Sequence, residues 1–372
     1  MQFKDVIGQE ELKKHLIQEV KNDKISHAQL FLGKPGFGSL PLALSFVQYI
    51  FCEQKTESDS CGICPSCKKV QDLQHPDLHF SFPAVQAIGK KSDVFLADWR
   101  EQIKSEPYFN LNNWIDRIDV KGRAPIIGTD ESQEIIKKLS LKSYEGGYKV
   151  MMIWMSETMN ATCSNKLLKI IEEPPARTLF ILVSESQDKL LQTILSRTQI
   201  VKVPRLRVDE ISSYLRNNRQ LPSNQSDSIA SRAEGDFIEA LEVLNENAEG
   251  DENRELFIQL MRVCYKKNVI DMMDWAESAA TLSREKQKLF LRYALHMFRQ
   301  SIVKNYTDDI LTRVSDEEAQ FLKNFSKFIT GNNILDFTQT FNDAHFYVER
   351  NANAKLLFTN ICFKVMRYIH VA

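Results

Sequence analysis

Four of the chain's seven cysteines crowd into one short stretch: Cys52, Cys61, Cys64 and Cys67, in the pattern C-x8-C-x2-C-x2-C. Thiolates at such spacing suit a metal that prefers sulfur in a tetrahedron, and Gly62 and Pro65 provide turns that let the ligands converge. With four protein ligands the ion has no open position, so its role would be structural zinc. An iron–sulfur cluster is the alternative that the same donors allow, although nothing else in the chain suggests redox work. His75 and His79 are spare histidines nearby, and Cys163, Cys264 and Cys362 are scattered and expected in the core. A second stretch, Leu32 to Leu44, reads LGKPGFGSLPLAL. It has the glycines of a phosphate-binding loop, G-x-x-x-x-G-K-[ST], at Gly33 and Gly38, with Gly36 between them. The lysine slot holds Ser39 and the hydroxyl slot holds Leu40. Ser39 has no charge to neutralise phosphate, Leu40 cannot ligate magnesium, and Lys34 sits on the far side of the loop. The glycines then mark either a degenerate nucleotide site or only a tight turn.

The elements around the loop are those a phosphate site requires. HAQLFLG (27–33) contains a buried strand, and LPLALSFVQYIF (40–51) reads as a helix with Pro41 in its first turn. A second strand lies in YKVMMIWMSE (148–157). In a working phosphate-loop enzyme such a strand ends in carboxylates that organise magnesium and water. Here the apolar run ends in Ile153, Trp154 and Met155, with Glu157 beyond those slots. A third strand, TLFILVS (178–184), follows a helix in MNATCSNKLLKIIEEPP that Pro174 and Pro175 break.

Composition is that of an ordinary folded chain, with 43% hydrophobic and 26% charged residues among 372, enough for two or three domains. The formal net charge of -1 gives no basic whole-chain signal, so any nucleic-acid contact is local or shared with partners. No uncharged apolar run is long enough to span a bilayer, and the first residues lack a secretory core, so the expected location is the cytoplasm, with no membrane partner.

Taken in order, DVIGQEELKKHL (5–16), HAQLFLGKPGFGS (27–39), the cysteine module at 52–67, HPDLHF (75–80), NKLLKIIEEPP (165–175) and LLQTILSRTQ (190–199) form a specific series. It resembles the delta-prime subunits of the bacterial DNA polymerase III clamp loader, a family within the AAA+ superfamily and related to gamma/tau. The resemblance covers about residues 1–245. It implies an AAA+ RecA-like α/β domain over 1–205 with a zinc hairpin at 52–67, a small helical lid domain over 206–250, and an all-helical collar over 251–372.

The family's S-R-C motif matches Ser196-Arg197-Thr198. Its arginine is an arginine finger for ATP held by a neighbouring subunit, and the exchange of cysteine for Thr198 leaves the charged group in place. ATPase members carry lysine and a hydroxyl at Ser39 and Leu40, an Asp-Glu pair at Trp154 and Met155, and a second sensor arginine in G-S-x-R-D-A-L. The segment GDFIEAL (235–241) places Ile238 at that arginine. The resemblance therefore implies a subunit without ATPase activity of its own. It would join gamma/tau-like ATPase subunits and a delta-like subunit, act on a sliding clamp and primer–template DNA through the complex, and leave ATP to its partners. A gamma/tau-like ATPase and a zinc-stabilised nucleic-acid-binding module are the alternatives. An arginine finger stabilises transferring charge across a boundary, so it need not belong to a chain that hydrolyses anything. Arg205 and Arg207, by contrast, read as exit or surface charges.

Residues 84–128 carry Trp99, Tyr108, Phe109 and Trp114 among charges. They are expected to cover the core, with a partner contact or base stacking as the alternatives. ESQEIIKKLSLKSYEG (131–146) is amphipathic, and Lys137, Lys138 and Lys142 are expected on a solvated face, with phosphate contact as the alternative. Apolar periodicity beyond Asp251 predicts a set of amphipathic helices that assemble beside similar domains.

Overall fold

The computed structural model describes residues 1–119, 123–248, 250–306, 316–350 and 352–371. Five strands form one wholly parallel sheet: β1 (Ala28–Leu32), β2 (Leu78–Ser81), β3 (Lys149–Trp154), β4 (Thr178–Ser184) and β5 (Gln199–Lys202), in the order β2-β3-β4-β1-β5. Parallel strands covered on both faces read as continuous apolar runs, and β3 and β4 are buried along their whole lengths. Side chains alternate between faces. Val150, Met152 and Trp154 of β3 join Leu179, Ile181 and Val183 of β4 in one core. Met151 and Ile153 join Phe180 and Leu182 in the other.

The helices of the first part are α1 (Glu10–Lys21), α2 (Ser39–Phe51), α3 (Pro65–Gln71), α4 (Leu96–Ser105), α5 (Leu111–Ile118), α6 (Thr129–Ser140), α7 (Ala161–Glu172), α8 (Gln192–Leu195), α9 (Val208–Arg219), α10 (Ser223–Arg232) and α11 (Phe237–Ala248). Helix α2 belongs to the first core through Leu42, Phe46 and Val47, while α6 and α7 bury Ile135, Leu139, Leu167 and Ile171 in the second. The chain divides into two compact units, Met1–Ala240 and Leu241–Ala372. Helices α9 and α10 belong to the first unit, and α11 crosses the division.

Residues 84–128, apart from 120–122, which lie outside the described residues, supply α4 and α5. Trp99, Tyr108, Phe109 and Trp114 are all buried. Trp99 stacks on Phe82 at 4.4 Å and meets Trp114 edge-on at 5.4 Å, while Phe109 lies 4.8 Å from Trp154. Trp114 Nε1 donates to Pro83 O at 2.8 Å. These rings are core, which removes base stacking as their task.

The second unit is all-helical, with α12 (Gly250–Lys266), α13 (Val269–Thr281), α14 (Arg284–Tyr306), α15 (Asp316–Phe325), α16 (Ile334–Glu349) and α17 (Ala354–Val371). Its own core holds Phe257, Phe290, Phe298, Phe337, Phe341 and Phe358. Cys264 and Cys362 are fully buried there, as Cys163 is in the sheet domain, so the three scattered cysteines are core residues. Among the described residues, no helix is long and apolar enough to cross a membrane.

Candidate functional site

The glycine-rich loop sits where β1 gives way to α2, at the carboxyl end of the strand, the position at which open parallel sheets bind ligands. A phosphate cradle needs backbone N–H groups aimed into it. Here several are already used. Gly33 N donates to Ser184 O at 3.0 Å, Phe37 N to Lys34 O at 3.0 Å and Gly38 N to Pro35 O at 3.1 Å, while Pro35 has no N–H. The last two bonds close a short 3-10 turn over Pro35–Phe37. Gly38 adopts φ +91, a left-handed conformation that glycine takes without steric cost. Ser39 is buried and donates its hydroxyl to Gly33 O at 3.1 Å, and Leu40 is core.

The loop is also covered. Asp236 caps the start of α11 by accepting from Ile238 N at 3.0 Å, and its carboxylate lies directly on Gly36, where any Cβ would collide with it. Gln9 Nε2 clasps Phe37 O at 3.1 Å and Pro204 O at 2.7 Å. Buried Tyr108 packs over Gly38, accepts from Ile7 N at 2.9 Å and meets Phe237 edge-on at 4.9 Å. Burial pushes the Asp236 carboxyl above its ordinary value, and the Lys34 ammonium partly offsets that. A carboxyl group, not an ammonium, thus lies against the loop at Gly36. Ile238 is buried too. Sequence reasoning missed Asp236 and Gln9, and it placed Tyr108 in the core without its contact to the loop. The signal for Asp236 was available, because it stands in GDFIEAL at the serine of the ATPase motif.

At the end of β3, Trp154 and Met155 are 1% and 2% exposed, so packing accounts for both. Met155 takes φ +51, a left-handed turn that carries the chain away from the strand. Glu157 accepts from Glu185 N at 2.9 Å, and its other carboxylate oxygen is buried without a partner. Burial raises its carboxyl above the ordinary value.

Arg197 lies at the other end of the parallel β1 and β5 pair, at the turn between α8 and β5. Its Nε–H donates to Glu172 Oε2 at 2.9 Å, and Nη1 donates to Thr193 O at 3.1 Å and Ser196 Oγ at 3.3 Å. The Arg197 side chain is 32% exposed and that of Glu172 55%. Glu172 is a further residue that sequence reasoning passed over, although it lies within IIEEPP.

The four cysteines do converge. Their Sγ atoms all lie within 4.8 Å of one another. A tetrahedral zinc with Zn–S bonds of about 2.3 Å needs S–S edges of about 3.8 Å, and Cys61 Sγ to Cys67 Sγ is 3.9 Å. Backbone amides already aim at the sulfurs: Cys61 N to Cys52 Sγ at 3.2 Å, Cys64 N to Cys61 Sγ at 3.4 Å and Cys67 N to Cys64 Sγ at 3.4 Å. The N–H groups of Ile63 and Cys64 draw the Cys61 thiol down to about 6, whereas burial pushes Cys52 and Cys67 up. Four mutually close sulfurs with these donors fit a divalent cation that lets all of them ionise.

His75 stands outside this set. It stacks on Phe51 at 4.0 Å and bonds Glu145 Oε2 at 3.0 Å, and Glu145 also receives Ser66 Oγ at 3.2 Å and Lys69 Nζ at 2.5 Å. The group ties α3 to the turn after α6. Lys138 pairs with Asp93 at 2.6 Å, while Lys137 and Lys142 are exposed.

A family model described as DNA polymerase III, delta subunit, matches residues 8–207, the segment that contains the loop, the cysteine cluster and Arg197. The chain belongs to this family. It is a clamp-loader subunit related to the delta-prime, tau and gamma chains of the AAA+ superfamily. The delta-prime subunit of Bacillus subtilis is 28% identical over 259 residues, covering 70% of this chain and 66% of that one. The tau subunit of the same organism is 24% identical, covering 99% of this chain and 62% of that one. Escherichia coli delta-prime is 28% identical over 174 residues, covering 47% and 41%. The match thus spans less than two thirds of the length of these relatives. Among solved structures, a gamma subunit-related protein of Thermotoga maritima covers 97% of this chain and 100% of its own, at 17% identity and a TM-score of 0.41.

Proposed function

We propose that this chain is a delta-prime-like clamp-loader subunit that hydrolyses no ATP itself and lends Arg197 to ATP bound by a neighbouring gamma/tau-like subunit. Together with those subunits and a delta-like chain it opens a ring-shaped sliding clamp and places it on primer–template DNA. The observation that carries the proposal is the closed loop. Asp236 lies on Gly36, three loop amides are engaged inside the protein, and Ser39 and Leu40 replace the lysine and hydroxyl that phosphate and magnesium require. A phosphate entering there would meet a carboxylate instead of an ammonium.

The cysteine cluster is assigned structural zinc. Cys52, Cys61, Cys64 and Cys67 would fill its coordination sphere, so the ion would fix the 52–67 loop and the start of α3 and leave no position for substrate. The match to tau along 99% of the chain favours an ATPase instead, but the loop chemistry opposes that second possibility.

Equilibrium binding of magnesium-ATP to the isolated chain, with the cognate gamma/tau subunit as positive control, separates the two. No saturable binding is expected up to about 1 mM, equivalent to about -4 kcal/mol. Micromolar, magnesium-dependent binding would replace the proposal with the ATPase alternative.

A further inference from the structure

We propose that Glu172 is a positioning residue for Arg197, an inference that rests on the trans-acting role just proposed. A guanidinium has five N–H donors in a rigid fork. For Arg197, Nε and Nη1 are held by Glu172, Thr193 O and Ser196 Oγ, and Nη2 has no partner among the described residues. The fork is held at Nε and Nη1, and Nη2 keeps its N–H groups available on a side chain that is part-exposed. That suits an arginine whose target, a phosphate on another chain, arrives from outside.

Both partners stand on anchored elements. Glu172 is the last residue of α7, next to fully buried Ile171, and α7 is capped by Asn160, which accepts from Cys163 N at 2.8 Å. Arg197 follows α8, whose Ile194 is fully buried. Thr193 O and Ser196 Oγ move with Arg197 because they are its sequence neighbours. Glu172 is the one partner contributed by a different element, so it relates the guanidinium to the sheet domain as a whole. A site held by supported elements keeps its geometry better than one held by a free side chain. Exposed ion pairs are weak and screened by salt. Glu172 therefore biases the arginine rotamer without trapping it against a multiply charged phosphate, with which arginine forms the stronger, bidentate contact.

The test uses the loader reconstituted with its cognate ATPase subunits, the clamp, primer–template DNA and ATP. Wild type, R197A, E172A, E172Q and the double variant R197A/E172A are compared for turnover, with assembly followed by native mass spectrometry. E172A is expected to assemble and to lose about two- to fivefold in kcat with little change in KM. E172Q keeps an acceptor oxygen and should retain most of the activity. The double variant should match R197A, since the carboxylate acts only through the arginine. Full activity of E172A in a loader that R197A impairs would overturn the inference. So would a further loss on top of R197A, or failure of E172A to assemble, either of which would mark a structural role. An R197A loader with normal turnover would remove the proposed function itself, whatever Glu172 does.

Discussion

The glycine-rich loop and the Arg197 turn lie at opposite ends of the same parallel strand pair, the loop after β1 and the turn before β5, yet they have opposite physical states. The loop is closed. Its glycines face Asp236 and Tyr108, Ser39 is tied to Gly33 O, and Leu40 is core. The arginine turn is open, with a charged fork part-exposed and Nη2 without a partner among the described residues. Serine and leucine stand where a phosphate loop needs lysine and a hydroxyl, and the protein's own side chains pack against the loop. A position that acts on something outside the chain needs only exposure and charge. The cysteine cluster is a third case, in which every group needed for its chemistry is present and converged.

The largest effect is expected there. Structural zinc contributes on the order of 10 kcal/mol in small zinc domains. The purified chain should hold about one zinc, and Cys64→Ser or Cys67→Ser should release it and expose the 52–75 region to proteolysis. Metal analysis and limited proteolysis check this, and a metal-free chain as resistant as wild type would contradict it. Next in size is Trp154→Ala. If Trp154 has exchanged an acidic role for packing against Trp99 and Phe109, its truncation should cost about 3–5 kcal/mol in urea unfolding. A cost below about 1 kcal/mol would mean the position is not core.

Asp236→Asn should have the smallest effect and sharpens the contrast most finely. Burial raises the Asp236 carboxyl, so its ionised form is penalised in the folded state. That penalty is fully present above the folded pKa and disappears as pH falls below the ordinary carboxyl value. Asparagine caps a helix as well as aspartate. The variant should therefore be more stable by less than about 1 kcal/mol at neutral pH, with the gain fading in acid, as thermal melts at several pH values would record. It should still bind no ATP, because the lysine and hydroxyl remain missing.

Much of the sheet domain was legible because its strands are buried on both faces. Continuous apolar runs such as VMMIW and TLFILVS admit few other readings, and the loop between β1 and α2 follows from its glycines. The cysteine spacing was equally direct. The short strand β2 was harder, since LHFS is only four residues long, and α8 is a single turn. The contacts on which the proposed function rests were out of reach for a different reason. Asp236 reaches Gly36, and Glu172 reaches Arg197, only after distant segments pack, and no local periodicity encodes such pairs. His75 illustrates the same limit. Its nearness in sequence to the cysteines made it a spare ligand, whereas packing commits it to Phe51 and Glu145.

The central claim is that a chain without a working site of its own completes one elsewhere. The most direct measurement is clamp- and DNA-stimulated ATP turnover by the reconstituted loader containing wild-type chain or R197A, with assembly confirmed by native mass spectrometry. The account predicts an intact assembly whose turnover at the adjoining ATP site falls by about 10³-fold or more, while the isolated chain hydrolyses nothing. Undiminished turnover in an intact R197A assembly would contradict it and leave this subunit a scaffold.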